Sequence, residues 1–279
     1  MNDNSSPQQR GFLIQLAAPL QSWGERSRFV HQRDTAAAPT RSGLIGMLAA
    51  AHGRQREEPC EDLAPLRFTV RLDRRGTHLR DLHTVGGGMP RHLTVATAED
   101  KRRSGDKATL LSHRFYLQDA VFTVAVTSDD TALLERCAAR LRRPRWAPYL
   151  GRRSCPPSGP LVLTKVTADA ATHLLHLPLA RTAPRPGSRQ QDSTVSVEFT
   201  TDAPLSSLLL ESCGQGETVA GEAQDDPISY LPLDRRYRTR PVHRSTLHRP
   251  AGQCGGLGTD YLNRLSTYLT DNELGVSSS

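Results

Sequence analysis

Thr40, Arg41, Ser42 and Gly43 set two hydroxyls, a guanidinium and an unhindered backbone at the point where a helical pattern begins. The first N–H groups of a helix lack intrahelical partners and carry partial positive charge, so this composition suits a phosphate-bearing ligand. Just upstream, in the run PLQSWG at 19–24, Gln21 leads to Trp23 beside Gly24, which offers a flat surface for stacking. The stretch 19–53 thus combines a Trp-Gly turn, a basic loop and a helix opening.

A second concentration of chemistry lies further along. Between Arg136 and Ala168 there is no Asp or Glu, while Arg136, Arg140, Arg142, Arg143, Arg145, Arg152, Arg153 and Lys165 all fall there. Within it, PRWAPYLGRRS at 144–154 interleaves arginines with Trp146 and Tyr149 on a proline-stiffened loop. That mixture suits single-stranded nucleic acid, where arginines hold phosphates and aromatic faces stack bases at roughly 1–3 kcal/mol each. Against this stands a solvated arginine face with both aromatics packed inward. A further acid-free basic run, Arg235 to Arg249, either continues such a groove or forms a solvated edge strand or tail.

Catalytic constellations are weaker. His31, His83, His113 and Lys107, with a tyrosine, have the types needed for metal-independent RNA cleavage, in which one group takes the 2′-hydroxyl proton and another protonates the leaving oxygen. Nothing in their spacing fixes a geometry. Carboxylate pairs at metal-ligand spacing are missing, Asp129 and Asp130 read as helix N-terminal charge, and the triple glycine at 86–88 matches no phosphate-loop fingerprint. The five cysteines stand singly, which excludes a zinc ribbon or disulfide framework as an expectation. No cofactor or metal is expected.

The elements that must position these residues are legible in part. FLIQLA at 12–17 suits a buried strand ended by Pro19. A helix is predicted from Ser42 to His52, with Leu44, Met47, Leu48 and Ala51 on one face and Gly53 as its stop. Residues 66–73 (LRFTVRLD) alternate as a strand with one face solvated. From 74 to 114 the pattern dissolves into a polar stretch, read as a protruding arm. Strand character resumes over 115–126, a helix capped at 128–130 runs to about Leu141, and another strand is expected at 161–166. This order, βαβ, arm, βαβ, predicts an α+β, ferredoxin-like (modified RRM) antiparallel sheet with a thumb-like arm insertion. The expected domains are 10–167, with the arm at 74–114, and a small, mostly β appendage at 168–279. In the latter, 181–192 reads as linker, 194–200 as a strand, 211–226 as a loop and 228–233 as a last short strand.

With 279 residues the chain can bury a substantial core, and its charge of +7 favours a polyanionic partner. No apolar run reaches the roughly 20 residues needed to cross a bilayer, and the polar start does not resemble a signal peptide. A cytoplasmic protein without membrane contact is expected.

Three blocks, PLQSWG at 19–24, PTRSGLIG at 39–46 and YLGRRSCP at 149–156, resemble the signature blocks of the CasD family, the fifth-family CRISPR-associated subunits of the type I-E Cascade surveillance complex. RDLHTV at 80–85 and YLQDA at 116–120 resemble it too, flanking the arm, and the match runs in order from about Phe12 to Leu163. The resemblance implies a non-catalytic subunit that holds the 5′ handle of the CRISPR RNA (crRNA) and helps assemble the complex for antiviral defence. Its implied partners are the crRNA, the repeating backbone subunit and the large PAM-recognising subunit, with foreign target DNA met indirectly. A related type I-C subunit cleaves repeat RNA, which keeps a metal-independent repeat endoribonuclease as the alternative. A general single-strand binder is the third reading.

Carried onto this sequence, the resemblance implies that Gln21, Trp23 and Gly24 shape the handle pocket and that Thr40, Arg41, Ser42 and Gly43 hold its phosphates. It also implies RNA contacts from Arg33, Arg114, Arg145, Tyr149, Gly151, Arg152, Arg153 and Ser154. His83 and Thr84 would lie where the RNA turns at the arm's base.

Overall fold

A computed structural model describes residues 9–24, 32–94, 101–102, 108–184, 194–204, 218–231 and 234–275. The expected sites His31 and Lys107, most of the 181–192 linker and part of the arm lie outside the described residues.

Strand β1 (Gly11–Ala17) pairs antiparallel along its whole length with β7 (Val121–Thr127). On the other edge of β7 lies β4 (Arg67–Arg74), followed by β8 (Thr194–Thr201), β10 (Arg236–Pro250) and β9 (Thr218–Ser229), giving a six-stranded antiparallel sheet in the order β1-β7-β4-β8-β10-β9. Helices α1 (Arg41–His52) and α2 (Thr131–Arg142) cover one face of it, where Phe12, Ile14, Phe68, Val70, Phe122 and Val124 meet Leu44, Leu48, Leu134 and Leu141. Both helices start and stop as their sequences dictate. Asp130 caps α2 by accepting from the Leu133 amide, and Gly53 closes α1 at φ 84° with its N–H turned back to the Ala49 and Ala50 carbonyls.

The opposite face is covered as well. Leu13, Ala125, Val197, Phe199 and Leu247 pack against α3 (Ala170–His176) and α4 (Gly258–Asp271), two helices that the mostly β reading of the C-terminal region did not anticipate. This corrects the expectation of a solvated face on 66–73. Six of the eight residues of β4 are buried, and the polar side of its alternation carries Arg71 and Asp73, both fully buried as an ion pair. Arg71 also donates to the carbonyls of Leu174, Leu177 and Pro178, and Thr123 donates to Asp73, so the pair clamps the end of α3 onto the sheet with its donors satisfied.

The described part of 74–114, the stretch read as an arm, is more regular than its composition. Strands β5 (Thr77–Val85) and β6 (Leu110–Gln118) form a long antiparallel hairpin out of the stretch read as patternless. The strand expected over 115–126 is two strands, separated by a turn at Asp119 (φ 56°) and Ala120. Short β2 (Leu20–Gln21) and β3 (Gln32–Arg33) share the other edge of β6, β3 in parallel register with Arg33 opposite Arg114.

Three further expectations are revised. The segment at 161–166 makes only isolated bridges to β1, Ile14 with Val162 and Gly11 with Thr167. Residues 218–226, read as loop, belong to β9, whose strand ends at Ser229, so 228–233 is not a separate strand. The basic run 235–249 is neither edge nor tail: β10 lies inside the sheet between β8 and β9.

Candidate nucleic-acid interface

The start of α1 is formed as its sequence suggests but is already occupied. Thr40 caps the helix by accepting from the Gly43 amide at 3.2 Å, and Ser42 Oγ lies 3.4 Å from Thr40 Oγ1. The Arg41 amide donates to Asp225 Oδ2 at 2.6 Å, and the Tyr230 hydroxyl donates to the Ser42 carbonyl at 2.6 Å. Arg41 is 8% exposed, and its guanidinium donates to Asp226, Asp202 and the carbonyls of Leu66 and Ala64. Arg240 binds Asp225 through two donors and Asp202 through a third, while Arg238 takes the remaining oxygen of Asp226. Burial pushes the Asp202 carboxyl above its ordinary value against the pull of Arg240 and Arg41. Arg41 is therefore a tie between α1 and the strands β8–β10.

Trp23 is likewise used internally. It is 1% exposed, its indole N–H donates to Gln21 Oε1, and its ring lies where a Cβ on Gly43 would come within 2.8 Å. Gln21 is fully buried and donates to the Leu16 and Ala120 carbonyls. Gln21, Trp23 and Gly43 thus fix the turn after β1 against α1, and Gly24 at its end is exposed.

That turn is joined to the distant arginine loop. The Ser22 amide donates to the Leu150 carbonyl, and Gly151, at φ 86°, leaves no room for a Cβ beneath the Ser22 carbonyl. Arg152 then crosses to β3, donating through Nη2 to the Arg33 carbonyl at 3.0 Å, while its guanidinium stands 4.6 Å above the Tyr116 ring. Arg33, Arg114 and Arg152 consequently converge at the base of the arm. Burial, then the like charges of Arg114, Arg152 and Arg235, lower the Arg33 pKa. Arg114 Nε and Arg152 Nη1 are buried without an acceptor.

Around this cluster, Arg153 and Ser154 are exposed and Tyr149 half-buried. On β5, Asp81 is in register with Arg114 and His83 with Ser112, so Asp81 and His83 share the face of the hairpin that carries Arg114. Asp81 Oδ2 lies 2.7 Å from His83 Nε2, close but not aligned as a hydrogen bond. Thr84 is exposed on the other face. Arg145 is not brought to the cluster: its amide donates to Ala51 and its side chain packs over Gly53, at the far end of α1. Trp146 beside it is 42% exposed. Of the residues considered for cleavage, His113 contacts Arg80 and stands on the Thr84 face of the hairpin, apart from His83.

The residues missed by sequence reasoning are Asp202, Asp225, Asp226, Tyr230 and Tyr116. The acidic pair in the run 225–226 was visible, but nothing local linked it to Arg41. Among the described residues, no group of three or more His, Cys, Asp or Glu side chains is placed to hold a metal, and no helix is long and apolar enough to cross a membrane.

Fold and site together define an α+β protein whose long β5–β6 hairpin carries one member of a cluster of like-charged arginines. The chain belongs to the Cas5 family of CRISPR-associated proteins: the family model described as "CRISPR-associated protein (Cas_Cas5)" matches residues 11–243. It is 40% identical over 168 residues to the CRISPR system Cascade subunit CasD of Escherichia coli (strain K12), a match spanning 55% of this chain and 70% of that protein. A solved chain described as "CRISPR RNA-guided surveillance complex" superposes with a TM-score of 0.76 at 42% identity, covering 93% of this chain and 99% of the other. Another, described as "Crystal structure of Cas protein", gives 0.56 at 30% identity over 88% and 98%.

Proposed function

We propose that this chain is a non-catalytic subunit of a type I-E Cascade surveillance complex that holds the 5′ handle of the crRNA at the base of its arm. The observation that carries the reading is the convergence of the like-charged Arg33, Arg114 and Arg152 where β3 pairs with β6. Family membership and the likeness to a Cascade subunit support the setting. A kinked single strand would lay its phosphates on Arg33, Arg114, Arg152 and Arg153, with Tyr149, Gly24 and Ser154 at the rim and His83 and Thr84 along the hairpin. Recognition would depend on splayed bases and 2′-hydroxyls. Gln21, Trp23, Thr40, Arg41, Ser42, Gly43 and Gly151 then act by holding the wall in place.

The same reading takes β1, α1, β4, β7, α2 and the bridged segment 161–167 as a ferredoxin-like, RRM-type unit. With both faces of its sheet covered, RNA would lie at the arm and not across the strands. The backbone subunit and the large PAM-recognising subunit would be its protein neighbours, in the cytoplasm.

Competition between handle RNA and a scrambled RNA of equal length tests the reading. Preference for the handle is expected, and equal affinity would favour a general single-strand binder. The closeness of Asp81 and His83 beside the arginines keeps one second reading, a repeat endoribonuclease. Incubation with repeat RNA in EDTA decides it: a discrete cut lost in His83→Ala would replace the scaffold reading.

A further inference from the structure

The basic run that opens β10 is not uniform. Arg236 pairs with Asp234 at 3.0 Å, Arg238 with Asp226 at 3.0 Å, and Arg240 with Asp202 and Asp225 at 2.6 Å each. Arg235, the first residue of the run, is exposed, and among the described residues no carboxylate pairs with it. It stands in the turn between β9 and β10, which is anchored on the start of α1. The Tyr230 hydroxyl donates to the Ser42 carbonyl at 2.6 Å with its ring against Gly46, and Tyr237 meets that ring edge-on at 6.5 Å. The Asp234 amide donates to the Leu231 carbonyl, which tightens the turn just before Arg235.

The chain from β3 arrives at the same helix end. Thr35 and Ala36 bind the Trp23 backbone, and Arg152 reaches the carbonyls of Arg33 and Asp34. Turn and β3 segment thus flank one end of α1, and the charge of Arg235 is felt at Arg33: burial first, then Arg114, Arg152 and Arg235, lower the Arg33 pKa. Four arginines from β3, β6, the 150–155 loop and the β9–β10 turn therefore share one field. Positive charge gathered in this way attracts a polyanion. We propose, on the RNA reading of the arginine cluster, that Arg235 binds a phosphate of the same strand, so that the C-terminal sheet forms part of the RNA site through its β9–β10 turn.

Binding of handle RNA to the full chain as a function of salt tests this contact. Arg235→Gln is expected to bind more weakly and to lower the slope of log affinity against log salt by about 0.7, one single-strand phosphate contact, and Arg235→Lys to restore the slope. Arg136→Gln removes an equal charge from the exposed surface of α2 near His52, at the other end of α1, and should leave the slope unchanged. An unchanged slope in Arg235→Gln beside lowered slopes in Arg114→Ala and Arg152→Ala would overturn this contact and leave the RNA site standing. Unchanged slopes in all three would overturn both. Equal drops in Arg235→Gln and Arg136→Gln would reduce the effect to net charge, and a loss that lysine does not restore would make it structural; either result overturns the proposal.

Discussion

The backbone N–H of Arg41, the first residue of α1, donates to Asp225 Oδ2 at 2.6 Å across 184 residues of sequence. A carboxylate of β9 thus sits at the helix N-terminus that composition alone assigns to a ligand. Asp202 and Asp226 complete the arrangement by binding the Arg41 guanidinium, so the C-terminal strands and α1 are fastened at one point.

Arg41→Ala should therefore act on stability before it acts on RNA. Removing the guanidinium leaves two partly buried carboxylates short of a partner, with an expected loss of about 2–4 kcal/mol. Urea denaturation measures it. RNA affinity of the folded variant is expected to stay within about twofold of wild type, because the side chain faces the protein.

Asp73→Ala provides the sharper core test. Arg71 would remain fully buried without its carboxylate, at an expected cost of about 3–5 kcal/mol, whereas replacing both residues with apolar ones of similar volume should cost less. A double-mutant comparison by chemical denaturation separates the two outcomes.

Gly151→Ala should disturb the site without touching its charges. The residue sits at φ 86°, and a Cβ would overlap the Ser22 carbonyl, so the loop must move and carry Arg152 away from β3. A loss of about 1–3 kcal/mol in stability is expected, together with weaker RNA binding. Thermal melts and filter binding check the pair.

Acid should weaken the fold from about pH 6.5 downward. Burial, ahead of neighbouring arginine charges, lowers the His52 pKa from its ordinary 6.5, and burial lowers that of His173. The unfolded chain then takes up protons before the folded one, so stability present above 6.5 is lost as pH falls towards the folded values. The urea midpoint should drop between about pH 7.5 and pH 5, and the His52→Gln/His173→Gln variant should show a shallower drop. That comparison isolates the imidazoles from Asp202, whose raised pKa works in the opposite sense.

What the sequence disclosed follows from how local each signal was. Helix α1 was legible because Thr40 and Gly53 mark its ends, and α2 because Asp130 and the arginines of its last turn do. The alternation of β4 revealed a strand but not its burial, since Arg71 and Asp73 look solvated until the carbonyls after α3 satisfy them. The basic run of β10 suggested an edge strand, a groove or a tail but not an interior strand, because its arginines are balanced by Asp202 after β8 and by Asp225 and Asp226 of β9, and its place depends on pairing partners far away. The arginine half of the candidate site was visible in 144–154. Its other half, Arg33 and Arg114, becomes adjacent only through the parallel pairing of β3 with β6.

The most direct test is RNA binding by Arg114→Ala and Arg152→Ala as a function of salt. The account predicts that each variant binds handle RNA more weakly and lowers the slope of log affinity against log salt by about 0.7, the share of one phosphate contact on a single strand. Wild-type affinity and an unchanged slope in both variants would contradict it.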